Sequence, residues 1–275
     1  MISCTYRRTG GPFTGNAGQL VVRENGQKGL VLIHGWGFGR WIWDSFIPCL
    51  EDRWRVTSID LPGYGASEKL VFADNDKADI NQIVKRIEPG IPEDSILLAW
   101  SLGGLIAMKL ASVRKDIKSL VLIANSPCFL NKSDWQHGVE PVYFNQLTSR
   151  LSKDKIKTLQ NFAGLVAMGD KQPRQTINML SECIGDNAPD IETLQTGLEL
   201  LSKADARQAM ANQHCPTGMI FGENDVLVRR STAEAVRAIR PDINTIEITE
   251  SGHAPFLSRP QETADALTKL MGSLL

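Results

Sequence analysis

Short apolar runs that alternate with helical patterns are the feature that most constrains how this chain can fold. The runs are rich in Val, Ile and Leu and mostly lack a strict polar–apolar alternation. They are Leu30–Ile33, Trp54–Asp60, Ser95–Trp100, Ser119–Ala124, Thr217–Phe221 and Asn244–Thr249, with Gln19–Arg23 as a predicted edge strand. Such runs are typical of strands that are buried on both faces of a parallel sheet.

Helical patterns follow several of these runs, at Leu102–Val113, Ser231–Ile239 and Pro260–Leu275. Strands that alternate with helices predict an α/β fold with a mostly parallel, doubly wound sheet. Ligands bind to such sheets outside the carboxyl ends of the strands. We therefore expect functional groups in the loops that directly follow the strands.

One long stretch, between Ala124 and Thr217, interrupts the alternation because it contains no convincing strand. It predicts helices near Val142–Leu151, Lys153–Met168, Arg174–Ile184 and Ile191–Lys203. An apolar stripe at helical spacing is formed by Ile156, Leu159, Ala163 and Val166. We predict that residues 127–208 are a helical cap inserted into a core domain of residues 1–126 and 209–275. The alternative is a separate small domain, which is disfavoured because the sheet must continue after the insertion.

Composition and charge argue against several classes of protein. The chain has 275 residues, of which 42% are hydrophobic, and a net charge of −1, values that suit a globular protein with a large core. Nucleic-acid binding would call for a basic excess, and no apolar run reaches the ~18 residues of a membrane span. The N-terminus lacks the apolar segment of a signal peptide, so we expect a cytoplasmic protein. Five scattered cysteines without a C-x-x-C pair favour reduced thiols over disulfides or zinc.

The strongest local motif is AWSLGG at 99–104, which lies between a predicted strand and a predicted helix. It matches the nucleophile elbow, G-x-S-x-G, in which Ser101 would sit on a sharp turn at the top of the sheet. The helix N-terminus behind the serine favours negative charge that develops there. Ala99 replaces the first glycine of the pattern, and we expect the added methyl group to be tolerated.

A serine nucleophile needs a general base and an acid that orients the base. Asp225 in FGEND and His253 in SGHAPF each follow a predicted strand, in the chain order serine, acid, histidine. We therefore predict that Ser101, Asp225 and His253 form a catalytic triad, with Glu223 as the alternative acid. The remaining histidines, for which we expect packing or surface roles, are His34, His137 and His214.

The HGWG segment at 34–37 ends an early strand, and its glycines let the backbone turn towards the reacting oxygen. We predict an oxyanion hole that consists of the backbone N–H groups of Trp36 and Leu102. Packing of the Trp36 side chain beneath the cap is compatible with this role. The Gly/Pro-rich segment DLPGYGAS at 60–67 is interpreted as a structural turn.

These motifs occur in the order of the α/β-hydrolase superfamily, over a stretch from about Leu30 to Leu275. Within that superfamily the chain resembles the pimeloyl-carrier-protein methyl ester esterases of biotin synthesis. The segments that carry this closer resemblance are HGWG at 34–37, WSLGGL at 100–105, ANSPCF at 124–129 with Asp134 and Trp135, HAPF at 253–256, and Asp205 with Arg207.

The resemblance implies a serine carboxylesterase that hydrolyses the methyl ester of a carrier-bound pimeloyl chain and needs no metal or organic cofactor. It implies that Trp36 and Phe162 contact the acyl chain, with packing in the core as the alternative role for Phe162. It also implies that basic residues of the cap, here Lys157, Lys171 and Arg174, contact an acidic acyl-carrier protein.

The charge of the predicted cap is uneven. Residues 131–178 have seven basic and four acidic side chains, whereas residues 179–208 have two basic and six acidic ones. A basic half suits an acidic partner, and an ordinary solvated helical surface is the alternative. Asn161 and Asn178 occupy positions where the resemblance leads us to expect arginine.

Several other functions share the predicted triad. A broad-specificity esterase for short acyl esters is the first alternative, and small esters would then be the substrates. C–C hydrolases and cofactor-free haloperoxidases are further alternatives on the same fold, as is a non-catalytic ligand-binding protein. In each case we expect a monomer that binds neither nucleic acid nor membranes.

Overall fold

The computed structural model of the chain describes residues 19–23, 26–70, 79–184 and 188–274. The N-terminal segment before Gln19 with Cys4, and the side chain of Cys183, lie outside the described residues. The thiols of Cys49, Cys128 and Cys215 are free.

The strands form one sheet, and each begins and ends within two residues of its predicted bounds. They are β1 (Gln19–Arg23), β2 (Lys28–Ile33), β3 (Trp54–Ile59), β4 (Ile96–Trp100), β5 (Ser119–Ile123), β6 (Thr217–Gly222) and β7 (Asn244–Ile248). Their order across the sheet is β1-β3-β2-β4-β5-β6-β7. Only β1, at one edge, runs antiparallel to its neighbour; the other pairs are parallel. The predicted doubly wound, mostly parallel sheet is therefore confirmed.

Parallel pairing brings the carboxyl ends of the strands to a common edge. Ile33 at the end of β2 pairs with Ile59 of β3 and with Ala99 of β4. Trp100 of β4 pairs with Ile123 at the end of β5. The loops that follow β2, β3, β4 and β5 consequently meet at one end of the sheet, as do those after β6 and β7.

Burial of the strands follows their position in the sheet. Every residue of the central strands β4, β5 and β6 is buried, as the continuous apolar runs predict. The edge strand β7 differs, because only its last residue, Ile248, is buried. An edge strand has a neighbour on one side only, so part of its surface stays in contact with solvent.

Helices cover the sheet and fill the long insertion between β5 and β6. They are α1 (Ile80–Ile87), α2 (Leu102–Val113), α3 (Pro141–Lys153), α4 (Lys155–Val166), α5 (Pro173–Ile184), α6 (Ile191–Lys203), α7 (Arg207–Ala211), α8 (Ser231–Ile239), α9 (Pro255–Ser258) and α10 (Pro260–Leu274). Helix α2 packs against β2, β4 and β5, and α10 packs against β5, β6 and β7. Among the described residues, no helix is long and apolar enough to cross a membrane.

Several details of the helices differ from the sequence-based predictions. The short helices α1, α7 and α9 were not predicted. For α1 a signal was present, because Asp79 caps it and Ile80, Ile83, Val84 and Ile87 follow helical spacing. Ile156 was assigned to the apolar stripe of α4, but its side chain is 39% exposed. It lies in the first turn of α4, at the margin of the arc whose centre faces the core, so the assignment of Ile156 was wrong.

Candidate active site

Ser101 occupies the sharp turn between β4 and α2. Its backbone has φ of +51° and ψ of −120°, a conformation that side-chain-bearing residues rarely adopt. Three hydrogen bonds hold the turn in place: the Ser101 N–H donates to the Ile123 carbonyl at 3.0 Å, and the Ser101 carbonyl accepts from the Gly104 N–H at 2.9 Å and from Asn125 Nδ2 at 2.7 Å. The predicted nucleophile is thus held at the tip of the elbow by its neighbours in the sheet.

Close backbone approach explains the two glycines after the serine. A Cβ atom on Gly103 would lie 2.4 Å from the His34 carbonyl oxygen, and one on Gly104 would lie 2.3 Å from Asn125 Nδ2. Ala99, two residues before the serine, is fully buried and keeps its regular pairing in β4, so its methyl group is accommodated. The elbow therefore needs small residues after the serine more than before it.

His253 lies within hydrogen-bonding distance of both partners that the sequence predicts. Its Nε2 is 3.0 Å from Ser101 Oγ, and its Nδ1 is 2.8 Å from Asp225 Oδ2. The second carboxylate oxygen of Asp225, Oδ1, accepts from the backbone N–H groups of Leu227 and Val228 at 2.8 and 3.0 Å. All three predicted triad residues are buried. The geometry supports proton transfer from the serine hydroxyl to the imidazole, with the carboxylate as orienting acceptor.

The backbone around His253 is anchored on two sides. The indole N–H of Trp100, the residue before the serine, donates to the His253 carbonyl at 2.8 Å. The His253 N–H donates to the carbonyl of Val166, at the end of α4, at 3.0 Å. The position of the imidazole therefore depends on both the sheet and the inserted helices.

The predicted oxyanion donors flank the serine. Within the described part of the chain, neither the Trp36 N–H nor the Leu102 N–H donates a hydrogen bond, so both remain available to an anionic oxygen. Leu102 is the first residue of α2, where helical N–H groups lack an intrahelical partner. The Trp36 side chain is fixed by its indole N–H, which donates to the Leu194 carbonyl of α6 at 2.8 Å.

Gly197 in α6 lies directly against Trp36, and a Cβ atom there would approach Trp36 Cδ1 to 2.6 Å. We expect Gly197→Ala to displace Trp36 and to lower kcat by roughly 10-fold, because small displacements in an active site are costly. Steady-state ester hydrolysis measures the effect. Gly164→Ala in α4 is the matched control, since a Cβ atom there would contact nothing within 4 Å. The control should add about 1 kcal/mol of stability from helix propensity, and equal kcat values for both variants would contradict the prediction.

A cavity of about 410 Å³ opens onto Ser101 and His253. Its walls are mainly apolar and come from α3, α4 and α6 of the insertion and from the loop after Asp225. Phe162 lines it and packs edge-on against Trp36, with ring centroids 4.8 Å apart. Both predicted acyl-contact residues therefore lie in the wall of the cavity. Such walls suit an aliphatic chain.

The hydrogen bonds that join Ser101, His253 and Asp225 are called the relay below. The alternative acid and the other histidines lie outside it. Glu223 is exposed, and its carboxylate accepts from the Glu250 N–H. His34 is buried: its Nδ1 is 2.8 Å from the Gly35 carbonyl and its Nε2 accepts from the Leu61 N–H, while burial lowers its pKa. His34 thus bridges two of the strand-end loops. His137 is half-buried against Trp135, and His214 is exposed.

Asp205 and Arg207, which contributed to the sequence resemblance, brace the start and end of the insertion. Arg207 pairs with Asp205 at 2.7 Å and with Asp134 at 2.9 Å, and Lys132 pairs with Asp205 at 3.0 Å. The hydrogen bond from Arg207 holds the pKa of Asp205 well below its usual range. Lys132 and Asp134 each lie 73 residues before their partners Asp205 and Arg207, so these ion pairs join the two ends of the insertion.

Sequence reasoning missed three contacts at the site. Asn125, Trp100 and Asp170 all make buried hydrogen bonds to the serine turn or the histidine loop. Asn125 follows β5, and its place at a strand end was the available signal. No local pattern marks the other two roles, because their partners are more than eighty residues away in sequence.

The chain is similar in sequence to a family of known proteins. A sequence profile described as the alpha/beta hydrolase family matches residues 30–266. The chain belongs to the α/β-hydrolase family. This assignment agrees with the sheet, with the inserted helices, and with the position of Ser101 at the elbow.

Several curated proteins that are similar to the chain share one name. The pimeloyl-acyl-carrier-protein methyl ester esterase of Aliivibrio fischeri is 34% identical over 85% of this chain and 89% of its own length. Its counterparts from Aeromonas hydrophila and Pectobacterium atrosepticum are 31% and 32% identical, over 88% and 89% of this chain and 95% and 92% of their own lengths. The resemblance predicted from the motifs is therefore confirmed.

Solved structures of other proteins support the fold. A hydrolase from Oleispira antarctica superimposes with a TM-score of 0.81 at 20% identity, covering 92% of this chain and 94% of the other. A bromoperoxidase from Bacillus anthracis superimposes with a TM-score of 0.79 at 20% identity, covering 91% and 93%. At such identities the likeness concerns the architecture alone.

Proposed function

We propose that this α/β hydrolase is a serine carboxylesterase that hydrolyses the methyl ester of a pimeloyl group carried by acyl-carrier protein. The observation that carries the proposal is the relay from Ser101 through His253 to Asp225, which opens onto an apolar cavity. The similarity to esterases of that name over most of the chain supports the choice of substrate. The reaction belongs to biotin synthesis.

The mechanism follows from the geometry of the relay. Ser101 Oγ attacks the ester carbonyl while His253 Nε2 accepts the hydroxyl proton, and Asp225 keeps the imidazole in the tautomer that can accept it. The N–H groups of Trp36 and Leu102 stabilise the oxyanion. His253 returns the proton to the departing methanol. It then accepts a proton from the water molecule that attacks the acyl-enzyme and donates it to Ser101 Oγ, which releases the free carboxylate. Every step uses side chains or backbone groups of the chain.

The inserted helices give the substrate its binding site. We place a helical cap at residues 127–208 and the catalytic core at residues 1–126 and 209–275. The cap supplies Phe162 and most of the apolar wall, which would surround the methylene chain between the ester and the thioester end. Burial of methylene groups contributes about 0.8 kcal/mol each. A chain of several methylenes would therefore bind largely through this wall.

An acidic carrier would dock on basic residues of the cap. Of the seven basic residues between 131 and 178, four have no ion-pair partner among the described residues and are exposed: Arg150, Lys153, Lys157 and Arg174. Lys171, by contrast, pairs with Glu250 at 3.1 Å. Lys157 and Arg174 are thus better placed than Lys171 to attract a carrier. A monomer in the cytoplasm suits this reaction.

Carrier-bound pimeloyl methyl ester and free short-chain p-nitrophenyl esters, assayed in parallel, test the substrate. We expect a strong preference in kcat/KM for the carrier-bound ester. Activity on the free esters alone would make the protein a broad-specificity carboxylesterase and refute the proposed substrate. Inactivity on all of them would refute the esterase assignment.

Reversal of two cap charges tests the docking surface. We expect Lys157→Glu/Arg174→Glu to raise KM for the carrier-bound ester by roughly 3- to 10-fold and to leave kcat unchanged, because surface charges act on encounter with the partner. KM for a free ester should not change. Lys28→Glu/Arg55→Glu is the matched control, since these exposed residues lie where β2 and β3 begin, at the opposite end of the sheet. The same rise in KM in the control would refute the docking surface.

A further inference from the structure

The loop that carries His253 is hydrogen-bonded at several positions to the end of helix α4 and to the turn that follows it. The His253 N–H donates to the Val166 carbonyl at 3.0 Å, and the Lys171 N–H donates to the Glu250 carbonyl at 2.9 Å. Asn224, next to Asp225, donates from Nδ2 to the Gly169 carbonyl at 3.0 Å. The turn after α4 therefore contacts both the histidine loop and the loop of the predicted triad acid.

Asp170 provides the shortest of these contacts. Its Oδ1 accepts from the Gly252 N–H at 2.7 Å, one residue before His253. Its Oδ2 accepts from the Thr176 hydroxyl at 2.7 Å. The side chain is buried, with Asp170 only 8% exposed. The carboxylate is therefore fixed at both oxygens and presents one of them to the histidine loop.

Loss of this carboxylate would leave the Gly252 N–H without an acceptor. Gly252 is buried, and a Cβ atom on it would lie 2.4 Å from the Met168 carbonyl oxygen. The histidine loop therefore packs tightly on the turn after α4. An unsatisfied buried N–H costs free energy, which the loop can recover by moving towards water. Such a movement would carry the His253 imidazole away from Ser101 Oγ.

We propose that Asp170 is a positioning residue for His253. It acts through the hydrogen bond that it accepts from the Gly252 N–H, which fixes the histidine loop to the turn after α4 and is called the clamp below. Helix α4 also lines the cavity through Phe162 and Leu165, so one helix would both surround the acyl chain and hold the general base. The inference rests on the proposed function only in that His253 acts as the base for Ser101. It does not depend on which ester is the substrate.

Three variants test the clamp. Asp170→Ala removes both hydrogen bonds, whereas Asp170→Asn can keep them, because its Oδ1 accepts from Gly252 and its Nδ2 donates to the Thr176 hydroxyl oxygen. Asp154→Ala is the matched control: Asp154 caps the other end of α4 by accepting from the Lys157 N–H and does not contact the histidine loop. Each variant is assayed for kcat, for KM, for thermal unfolding, and for the rate at which a small fluorophosphonate inactivates Ser101.

We expect Asp170→Ala to lower kcat and the inactivation rate by the same factor, roughly 10- to 100-fold, with KM within about twofold of wild type. Asp170→Asn should restore both rates to within about threefold of wild type. Asp154→Ala should destabilise the protein as a lost cap does, with unchanged rates at temperatures well below unfolding. Wild-type rates in Asp170→Ala, or equal losses in Asp154→Ala, would overturn the proposal.

Thr176→Val provides the test if Asp170→Ala does not fold. It removes the hydroxyl that fixes Asp170 Oδ2 and should lower the inactivation rate by roughly threefold or more; an unchanged rate would overturn the proposal. The fluorophosphonate assay also separates this inference from the choice of substrate. If the wild type is inactivated rapidly but does not hydrolyse the carrier-bound ester, the proposed substrate fails while the clamp is still measured.

Discussion

Ser101→Ala should abolish ester hydrolysis, with kcat lower by about 10⁵- to 10⁶-fold, the size of effect seen when a serine nucleophile is removed from a triad. The Oγ atom lies 3.0 Å from His253 Nε2, Ser101 lines the apolar cavity, and alanine leaves no atom that can form the acyl-enzyme. Stability should change little, because the variant keeps the same backbone conformation and Cβ atom. Steady-state hydrolysis and chemical unfolding measure the two effects.

Ser126→Ala is the matched control for this prediction. Ser126 is another buried serine, and its hydroxyl donates to the Cys128 carbonyl at 2.7 Å. We expect the control to keep kcat within about fivefold of wild type, since it loses only two neutral hydrogen bonds, the one to the Cys128 carbonyl and the one that Ser126 Oγ accepts from the Cys128 N–H at 3.3 Å. Residual activity of Ser101→Ala above one per cent of wild type would show that another group is the nucleophile.

Asp225→Asn should lower kcat by roughly 10⁴-fold while the fold is retained. The amide must direct its oxygen towards the N–H groups of Leu227 and Val228, as Asp225 Oδ1 does now. Its NH₂ group then faces His253 Nδ1, which has to accept that hydrogen bond. The imidazole proton moves to Nε2, and His253 can no longer take the proton of Ser101. KM should change much less than kcat.

Glu223→Gln is the control that separates the two candidate acids. Glu223 is exposed, and a glutamine oxygen can still accept from the Glu250 N–H. We expect its kcat to stay within about twofold of wild type, because surface substitutions away from a site have small effects. A larger loss in Glu223→Gln than in Asp225→Asn would assign the role of acid to Glu223 instead.

Local patterns were sufficient to predict the sheet and the three residues of the relay. A strand such as β4 is short, apolar and bounded by turn residues, so its ends can be read to within one residue. Parallel pairing then places Ser101, Asp225 and His253 at one end of the sheet, whatever the details of the loops. The predicted catalytic roles follow from that placement and await the variants described above.

Contacts between distant segments could not be predicted from local patterns. The bonds from Trp100 to the His253 carbonyl and from Gly252 to Asp170 join residues 153 and 82 positions apart. The exposure of Ile156 is a similar case, since its spacing fits the stripe but tertiary packing decides which arc of α4 faces inward. Local spacing identifies a face, and only the neighbouring elements determine how far that face extends.

The hydrogen bond between the His253 N–H and the Val166 carbonyl also limits how such enzymes can be recombined. A cap is often regarded as an exchangeable module that changes substrate range while the core keeps its rate. Here the end of α4 is hydrogen-bonded to the loop of His253, so a chimera that takes α4 from a relative changes this contact as well. Chimeras should keep their turnover when residues 166–170 and 250–253 come from the same parent, and lose it when the two segments are separated.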